Sequence, residues 1–359
     1  AEILDGRRRS TACAGLAQSF FEEGGLCIAA PPLALSVTFG TVEKIMANRR
    51  LGRTDIEIAP LVLGTNVVGW TADEKTSFEV LDAFVSEGFT AIDTADAYSR
   101  WVPGNDSDSE KIIGRWMKAR GNRSRVHIFT KVGSDMGQGR KDLSAKWILE
   151  EVENSLKRLQ TDYIDLYQSH WPDPTVQHEE TLSAYDKLIK AGKVRYVGAS
   201  NYDAKLLADA LEVSEEKGLP RYQTLQNEFN LYTRDKYEGA VQDLVVKEGL
   251  SCIPYYSLAA GFLTGKYRSE KDLGKSPRGK GTAKYLDDKG KRILAAMDKV
   301  AERTGAAHAE IALAWINAQP GIAAPIASAT SVGQLQSLVR GARLTLSDGD
   351  EKLLTDAGR

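Results

Sequence analysis

The chain has 359 residues, and its 47 lysines and arginines against 49 aspartates and glutamates give a formal net charge of −2. A chain so close to neutral lacks the single-sign field that attracts nucleic acids or anionic membranes, so neither is expected as a partner. Its 42% hydrophobic and 27% charged residues are typical of a soluble globular protein. The three cysteines, Cys13, Cys27 and Cys252, have no metal-ligand spacing. Neither a disulfide framework nor a metal site is therefore expected, and a cytoplasmic location is the default.

The first 45 residues lack the regular pattern of the rest. They contain a basic triplet at 7–9, an acidic pair at 22–23 and an apolar stretch from 26 to 37 that two prolines interrupt. This stretch is too short for the ~20 apolar residues of a membrane span. Three interpretations stay open: an extension upstream of the natural domain, an unusual targeting segment, or an ordered arm. We take 1–45 as an N-terminal extension and 46–359, which begins at Met46, as the domain.

Beyond Pro60, short apolar runs alternate with amphipathic stretches of helical spacing. The runs resemble parallel strands that are buried on both faces. Eight strand–helix units predict a single-domain (β/α)₈ TIM barrel, because helical crossovers join parallel strands and eight such strands close the sheet. An open doubly wound sheet is the second choice, although no Gly-x-Gly-x-x-Gly follows any predicted strand. The predicted strands are Leu61–Gly64, Ala91–Thr94, Val126–Val132, Tyr163–His170, Val194–Ala199, Thr224–Asn227, Cys252–Tyr256 and Ala323–Ile326.

Helix boundaries are also marked in the sequence. Asp73 is predicted to open the first helix and Ser144 to cap the third, while Gly88, Gly192 and Gly218 are expected just beyond helix ends. After the seventh strand, an insertion over 262–284 is rich in Gly, Lys, Arg and Ser. A loop at that place on a barrel is expected to cover a ligand.

Polar residues at the ends of predicted strands indicate where chemistry takes place. Asp93 ends the second strand and Tyr98 follows it, Lys131 ends the third, and His170 ends the fourth. The carboxyl ends of barrel strands meet at one mouth, so these four side chains are expected to share a pocket. Each has a plainer interpretation: a turn, a surface charge or a loop residue. Together they suit proton transfer to a developing alkoxide. The reduction that forms this alkoxide also needs a hydride, which no side chain of the protein can donate.

In this hypothesis, the ammonium of Lys131 lowers the pKa of Tyr98, Asp93 supplies the counter-charge, and His170 orients a carbonyl group. The spacing of these four residues resembles the Asp-Tyr-Lys-His tetrad of the aldo-keto reductases, over roughly 49 to 340. Segments 63–65, 110–114, 192–201 and 226–231 add to the resemblance. The branch with bacterial aldo-keto reductases and potassium-channel β-subunits is the most similar.

The resemblance implies NADPH-linked reduction of an aldehyde or ketone, with Tyr98 as the general acid. Ser200, Asn201 and Gln226 would hold the nicotinamide carboxamide, and Tyr256 would stack on the nicotinamide ring. A phosphate-binding segment would follow, with backbone amides near glycines and the charge of Lys266. The residues implied for the remaining cofactor contacts are Thr65, Ser257, Leu258, Gly261, Leu263, Gly265, Lys266, Ser328, Thr330 and Gln334.

The adenosine end departs from the family pattern. Thr330 stands where a basic residue is common, and Leu338 replaces an asparagine. NADP(H) is still the expected cofactor, and NAD(H) is not excluded. The expected substrate is a small carbonyl or alcohol, and an apolar wall near the mouth favours hydrophobic or aromatic carbonyls. The predicted substrate contacts are Asn66, Trp70, Trp101 and Trp171, with Phe262 as a further part of the wall.

Two other functions stay open. A barrel aldolase would use Lys131 as the nucleophile of a Schiff base, although an ion pair with Asp93 would keep the lysine protonated. A regulatory subunit would bind nicotinamide and a partner without turnover. The direction of the reaction and the oligomeric state follow from none of these patterns.

Overall fold

A computed structural model of the chain describes residues 47–359. The expectation that 1–45 form an extension lies outside these residues. Within the described part, eight parallel strands form one sheet in the order β10-β3-β4-β5-β6-β7-β8-β9. Strand bounds are β3 (Val62–Gly64), β4 (Ala91–Asp93), β5 (His127–Val132), β6 (Ile164–Ser169), β7 (Val194–Ser200), β8 (Thr224–Gln226), β9 (Ser251–Cys252) and β10 (Ile326–Ala327).

The sheet closes on itself. At one side of the seam, β10 pairs with β3, with Ile326 opposite Val62. At the other side, Cys252 N donates to Gly321 O and Ala323 N donates to Cys252 O, both at 2.8 Å. The predicted TIM barrel is therefore confirmed, and the doubly wound alternative is wrong because such a sheet has two open edges.

All eight predicted strands are present, but the seventh and eighth are short. Pro254 has no N–H to donate, and the regular ladder of β9 ends at Cys252. Extended pairing continues beyond it, since Ile326 N donates to Pro254 O at 2.9 Å and Tyr255 N donates to Asn227 O at 3.1 Å. The path of the chain to the mouth is thus the one predicted.

Ten helices in the described residues surround the barrel or follow it. Two predicted N-caps are confirmed: Asp73 accepts from Thr76 N at 2.8 Å, and Ser144 accepts from Trp147 N at 3.3 Å. The helices are α1 (Glu74–Ser86), α2 (Asp108–Arg120), α3 (Ala145–Leu159), α4 (His178–Lys190), α5 (Ala204–Lys217), α6 (Ala240–Lys247), α7 (Asp288–Thr304), α8 (His308–Asn317), α9 (Val332–Arg343) and α10 (Asp348–Ala357). Within 47–359, no helix is both long and apolar enough to cross a membrane.

The lower half of the barrel interior is apolar. An antiparallel hairpin, β1 (Arg49–Arg50) with β2 (Glu57–Ile58), precedes the barrel. Its neighbours Leu51 and Ile56 belong to the same buried cluster as Phe129 and Leu166. Side chains alternate along a strand, so the next inward positions after Phe129 and Leu166 are Lys131 and Gln168. The polar site therefore lies directly above an apolar floor.

The insertion after the seventh strand is not a plain coil. It begins with a kinked turn over Ala259–Thr264, and two short 3₁₀ helices follow, Glu270–Lys275 and Gly279–Tyr285. Phe262, Tyr267 and Tyr285 from this segment are buried in the main core. Aromatic burial thus fixes a segment that is polar by composition.

Candidate active site

Three of the four tetrad candidates form a hydrogen-bonded group at the mouth. Asp93 is the last residue of β4, Lys131 lies in β5, and Tyr98 lies in the turn that follows β4. Lys131 Nζ lies 2.7 Å from Asp93 Oδ2, 2.7 Å from Thr94 O and 2.9 Å from Tyr98 OH. These contacts use all three donors of the ammonium group. The lysine is fully buried, so it has no free face for a Schiff base, and this geometry disfavours the aldolase alternative.

The other oxygen of Asp93 is held from the barrel interior. Gln226 Nε2 donates to Asp93 Oδ1 at 2.9 Å, and Gln168 Nε2 donates to it at 3.4 Å. The hydroxyl of Thr65 donates to the backbone oxygen of Asp93 at 2.8 Å. The carboxylate is therefore fixed by neutral donors as well as by Lys131.

The pKa of Tyr98 shifts in the direction opposite to the expectation from sequence. Burial raises the pKa of Tyr98 well above its usual value, and the negative charge of Asp93 adds to the effect. Burial also lowers the pKa of Lys131, against the opposing influence of Asp93. The expected lowering of the Tyr98 pKa is therefore wrong for the free protein, because desolvation of the phenolate outweighs the nearby ammonium. Tyr98 is a neutral phenol with a proton to give.

His170 completes the group from the end of β6. Its ring centroid lies 6.0 Å from that of Tyr98, and Ser134 Oγ lies 2.9 Å from its Nδ1. Burial, with Lys131 and Lys141 nearby, lowers the pKa of His170 well below its usual value. The ring is consequently a neutral imidazole at neutral pH.

Aromatic side chains surround the mouth. Trp70 and Trp101 meet edge to face with centroids 5.7 Å apart, and Trp101 lies 6.3 Å from the Tyr98 ring. Their exposed fractions are 37% and 50%, which is high for tryptophan. Trp171 stacks on His170 with centroids 5.8 Å apart. The three predicted tryptophans therefore line an apolar rim around the tetrad.

Comparison with known proteins identifies the family. The model of the Aldo/keto reductase family matches residues 60–358. The chain belongs to this family. It is 36% identical over 309 residues to aldo-keto reductase YhdN of Bacillus subtilis, covering 83% of this chain and 89% of that protein. It is 31% identical over 335 residues to protein tas of Escherichia coli, covering 84% and 95%. It is 34% identical over 318 residues to the uncharacterized oxidoreductase YrpG of Bacillus subtilis, covering 85% and 94%. The protein is thus an oxidoreductase of the aldo/keto reductase family, whose members use nicotinamide cofactors.

The residues that the resemblance assigns to the nicotinamide form one connected set beside the tetrad. Ser200 Oγ donates to Gln226 O at 2.8 Å, and Asn201 Nδ2 donates to His170 O at 2.9 Å. Tyr255 OH donates to Asn201 Oδ1 at 2.8 Å. Tyr256 is 48% exposed at the end of the seventh strand. An exposed ring next to amide and hydroxyl groups fits a flat, polar aromatic ligand such as nicotinamide.

The predicted phosphate segment has an unusual backbone. Ala259, Ala260 and Gly261 have φ values of 47°, 55° and 101°, all in the left-handed region. Such conformations cost on the order of 1–3 kcal/mol for a residue other than glycine, and they concentrate at ligand-binding segments. Two of the three N–H groups are bonded within the segment, since Ala259 N donates to Tyr256 O at 2.7 Å and Gly261 N donates to Leu258 O at 2.8 Å. The unusual backbone marks this segment as a candidate binding segment, and its contact with a phosphate stays a prediction.

Individual residues in that segment differ in how they can contribute. Ser257 and Leu263 are buried, so Leu263 offers only its backbone, and the hydroxyl of Ser257 donates to Pro254 O at 3.2 Å. Leu258 and Gly261 are half-buried, as is Gly265, while Lys266 is exposed. Thr65 is also buried, and its hydroxyl forms hydrogen bonds with the backbone oxygen of Asp93 and with the hydroxyl of Ser109.

Arg278 is a candidate that the sequence did not single out. It is half-buried, and burial lowers its pKa, with Tyr256 and Tyr267 nearby. Among residues 47–359, no carboxylate forms an ion pair with it. A partly buried guanidinium without a counter-charge is costly, and it suits a phosphate. The only signal in the sequence was its place in the basic insertion.

The adenosine-end candidates are partly bonded to each other. Thr330 N lies 3.0 Å from Gln334 Oε1, and both residues are at the surface or half-buried. Ser328 Oγ donates to Asn66 Oδ1 at 2.8 Å, so Asn66 lies with this group as well as near the mouth strands. Leu338 is buried in the core, which places its side chain away from any ligand at this end.

Proposed function

We propose that this aldo/keto reductase reduces an aldehyde or ketone with NADP(H), and that Tyr98 donates the proton. The observation that carries the proposal is the Lys131 ammonium, which donates to both Asp93 Oδ2 at 2.7 Å and Tyr98 OH at 2.9 Å. Asp93, Tyr98 and Lys131 lie at the mouth of the barrel, inside the aromatic rim. The bound nicotinamide supplies the hydride, and the side chains described here position the substrate and move the proton.

The proton step follows from this arrangement. A carbonyl oxygen between Tyr98 and His170 accepts a hydrogen bond from the phenol, which becomes stronger as negative charge grows on the oxygen. The proton then passes from Tyr98 to the alkoxide. Lys131 stabilises the phenolate that is left, because its N–H already faces the phenol oxygen. Asp93 holds the ammonium in place, and Gln226 and Gln168 hold Asp93.

Arg278 supports a dinucleotide cofactor, and the choice of NADP(H) over NAD(H) rests on the family resemblance. The pyrophosphate is common to both cofactors, whereas the 2′-phosphate is present only in NADP(H). Arg278 and Lys266 are positive side chains of the insertion that follows the seventh strand. Thr330 adds no charge at the adenosine end. We therefore assign Arg278 the role of counter-charge for the cofactor phosphates.

The rim indicates the substrate class. Trp70, Trp101 and Trp171 present large apolar faces around a neutral phenol and a neutral imidazole. Aryl or other hydrophobic carbonyls bury more apolar surface against these rings than small phosphorylated ones do. Lys141, whose Nζ lies 4.3 Å from the centroid of the Trp171 ring, adds a positive charge at this edge.

The test is Tyr98→Phe, measured by cofactor consumption with a panel of aldehydes and ketones. The expected result is loss of turnover by at least about 100-fold, since only the transferable proton is removed. Binding of NADPH, followed by quenching of tryptophan fluorescence, is expected to stay within about 3-fold of the wild-type Kd. Tyr237→Phe is the matched control, because it removes a buried hydroxyl that donates only to Pro320 O in the described residues.

Two outcomes would contradict the proposal. Retained turnover in Tyr98→Phe would remove Tyr98 from the role of acid. A wild-type protein that binds NADPH but turns over no carbonyl or alcohol would favour the regulatory alternative instead.

A further inference from the structure

Ser134, beside the tetrad, lies within hydrogen-bond distance of one ring nitrogen of His170. A neutral imidazole carries its proton on one nitrogen only, so one nitrogen donates a hydrogen bond and the other accepts. His170 is neutral for the reasons given above. Whether it can donate to a carbonyl oxygen therefore depends on its tautomer.

Within 47–359, Ser134 is the hydrogen-bond partner of this ring. Ser134 Oγ lies 2.9 Å from His170 Nδ1, and no other contact of that kind reaches either ring nitrogen from the described residues. Nε2 is left for a ligand, on a ring that neighbours Tyr98. The backbone of His170 is fixed separately, because its N donates to Val132 O at 2.8 Å and its O accepts from Asn201.

The loop that carries Ser134 is locally rigid. Ser134 is only 9% exposed, and its backbone oxygen accepts from Gln138 Nε2 at 2.9 Å. Gln138 Oε1 in turn accepts from Met136 N at 2.7 Å. Asp135 Oδ1 accepts from the N–H groups of Gly137 and Gly139. The backbone that carries the hydroxyl is thus held by contacts that do not involve the histidine.

We propose that Ser134 is a positioning residue: its hydroxyl donates to His170 Nδ1 and thereby keeps the proton on Nε2, aimed at the substrate oxygen. The inference rests on the proposed function, because only a reaction with a carbonyl needs a donor there. If Ser134 accepted from Nδ1–H instead, Nε2 would present a lone pair to the carbonyl oxygen and repel it. The two hydrogen-bond directions therefore have opposite consequences for catalysis.

The tautomer is measured directly by nitrogen NMR of the protein with isotopically labelled histidine. The protein has only four histidines, and the His170 signals are assigned by their loss in His170→Gln. The expected wild-type spectrum has an unprotonated Nδ1 and a protonated Nε2 for His170. A protonated Nδ1 in the wild-type protein would overturn the proposal, and this measurement needs neither turnover nor a variant of Ser134.

The variants test the consequence for rate. In Ser134→Ala, the Nδ1 signal is expected to shift, and kcat is expected to fall roughly 3- to 10-fold, the worth of one hydrogen bond. The Kd for NADPH should not change, and Ser134→Thr should restore both the signal and the rate. Gln138→Ala is the matched control for a loosened loop and should leave the tautomer as it is. Unchanged Nδ1 signal and kcat in Ser134→Ala would refute the assignment.

The design separates the two proposals. If the wild-type protein shows no carbonyl reduction, the proposed function fails while the tautomer measurement still stands. If turnover is normal and the tautomer is the opposite one, the role of Ser134 fails alone.

Discussion

Removal of the buried lysine should separate its part in stability from its part in catalysis. Lys131→Met keeps much of the side-chain volume but leaves Asp93, which is 1% exposed, without its cationic partner. Loss of one member of a buried pair costs about 3–5 kcal/mol, because the remaining charge stays buried. Gln226 and Gln168 still donate to Asp93 Oδ1, so we expect a loss toward the lower figure, about 3 kcal/mol.

A double variant tests whether the lost stability comes from the unpaired charge of Asp93. Asp93→Asn combined with Lys131→Met removes the stranded charge, so at least about 1.5 kcal/mol of the lost stability should return. Turnover should not return, because the phenol of Tyr98 still lacks the ammonium that stabilises its anion. Both variants should be at least about 100-fold slower than the wild-type protein.

Urea unfolding followed by circular dichroism gives the free energies, and cofactor consumption gives the rates. Lys131→Arg is a useful comparison, since it keeps the charge but not the compact three-donor geometry. A double variant no more stable than Lys131→Met would refute the electrostatic reasoning. A single variant that lost less than about 1 kcal/mol would do the same.

Three further results are expected. Reduction rates should change less than about 3-fold between about pH 6 and pH 8, because burial shifts the pKa of His170 downward and that of Tyr98 upward, away from this window; a rate that followed a group titrating near pH 6.5 would contradict this. Arg278→Gln should weaken NADPH binding at least about 10-fold by fluorescence titration, and an unchanged Kd would remove Arg278 from the phosphate site. Lys141→Met should lower kcat/KM for 4-carboxybenzaldehyde several-fold but leave benzaldehyde unchanged, since only the first carries a charge for the lysine above Trp171; equal losses would argue against this contact.

The lowered pKa of His170 also makes the stability of the folded protein depend on pH in a definite direction. Its pKa is lower in the folded protein than in the unfolded chain, so the unfolded chain binds more protons as the pH falls below the usual value of about 6.5. The folded protein therefore loses stability as the pH falls below that value, and the loss stops growing only below the folded pKa. The same direction holds for His127 and His178, whose pKa values burial also lowers.

Local patterns in the sequence sufficed for much of the barrel. Runs such as Val126–Val132 and Tyr163–His170 are apolar enough to be buried on both faces, and they are strands in the structure. Strand ends also predicted which side chains share the mouth, since parallel strands present their carboxyl ends on one side. Asp73 and Ser144 were predictable as caps because an N-cap is a short-range interaction.

The rest depends on contacts between distant segments. The sign of the Tyr98 pKa shift follows from the extent of burial, which no local pattern reports. Ser134 and Arg278 lie in loops whose path depends on packing against the core, so their neighbours could not be read from spacing. The structure supplies these relations, and the sequence alone does not.

The seam of the barrel has a consequence for how the protein is made. The first strand of the sheet, Val62–Gly64, finds one of its two partners in the last strand, Ile326–Ala327. During synthesis from the N-terminus, one edge of that strand stays without its partner until the segment around residue 326 has left the ribosome. Pairing between such distant segments is slow to form, and an open strand edge favours aggregation. Chaperone dependence should therefore be greatest late in synthesis, and a shorter chain that ends before residue 326 should be recovered mainly as aggregate.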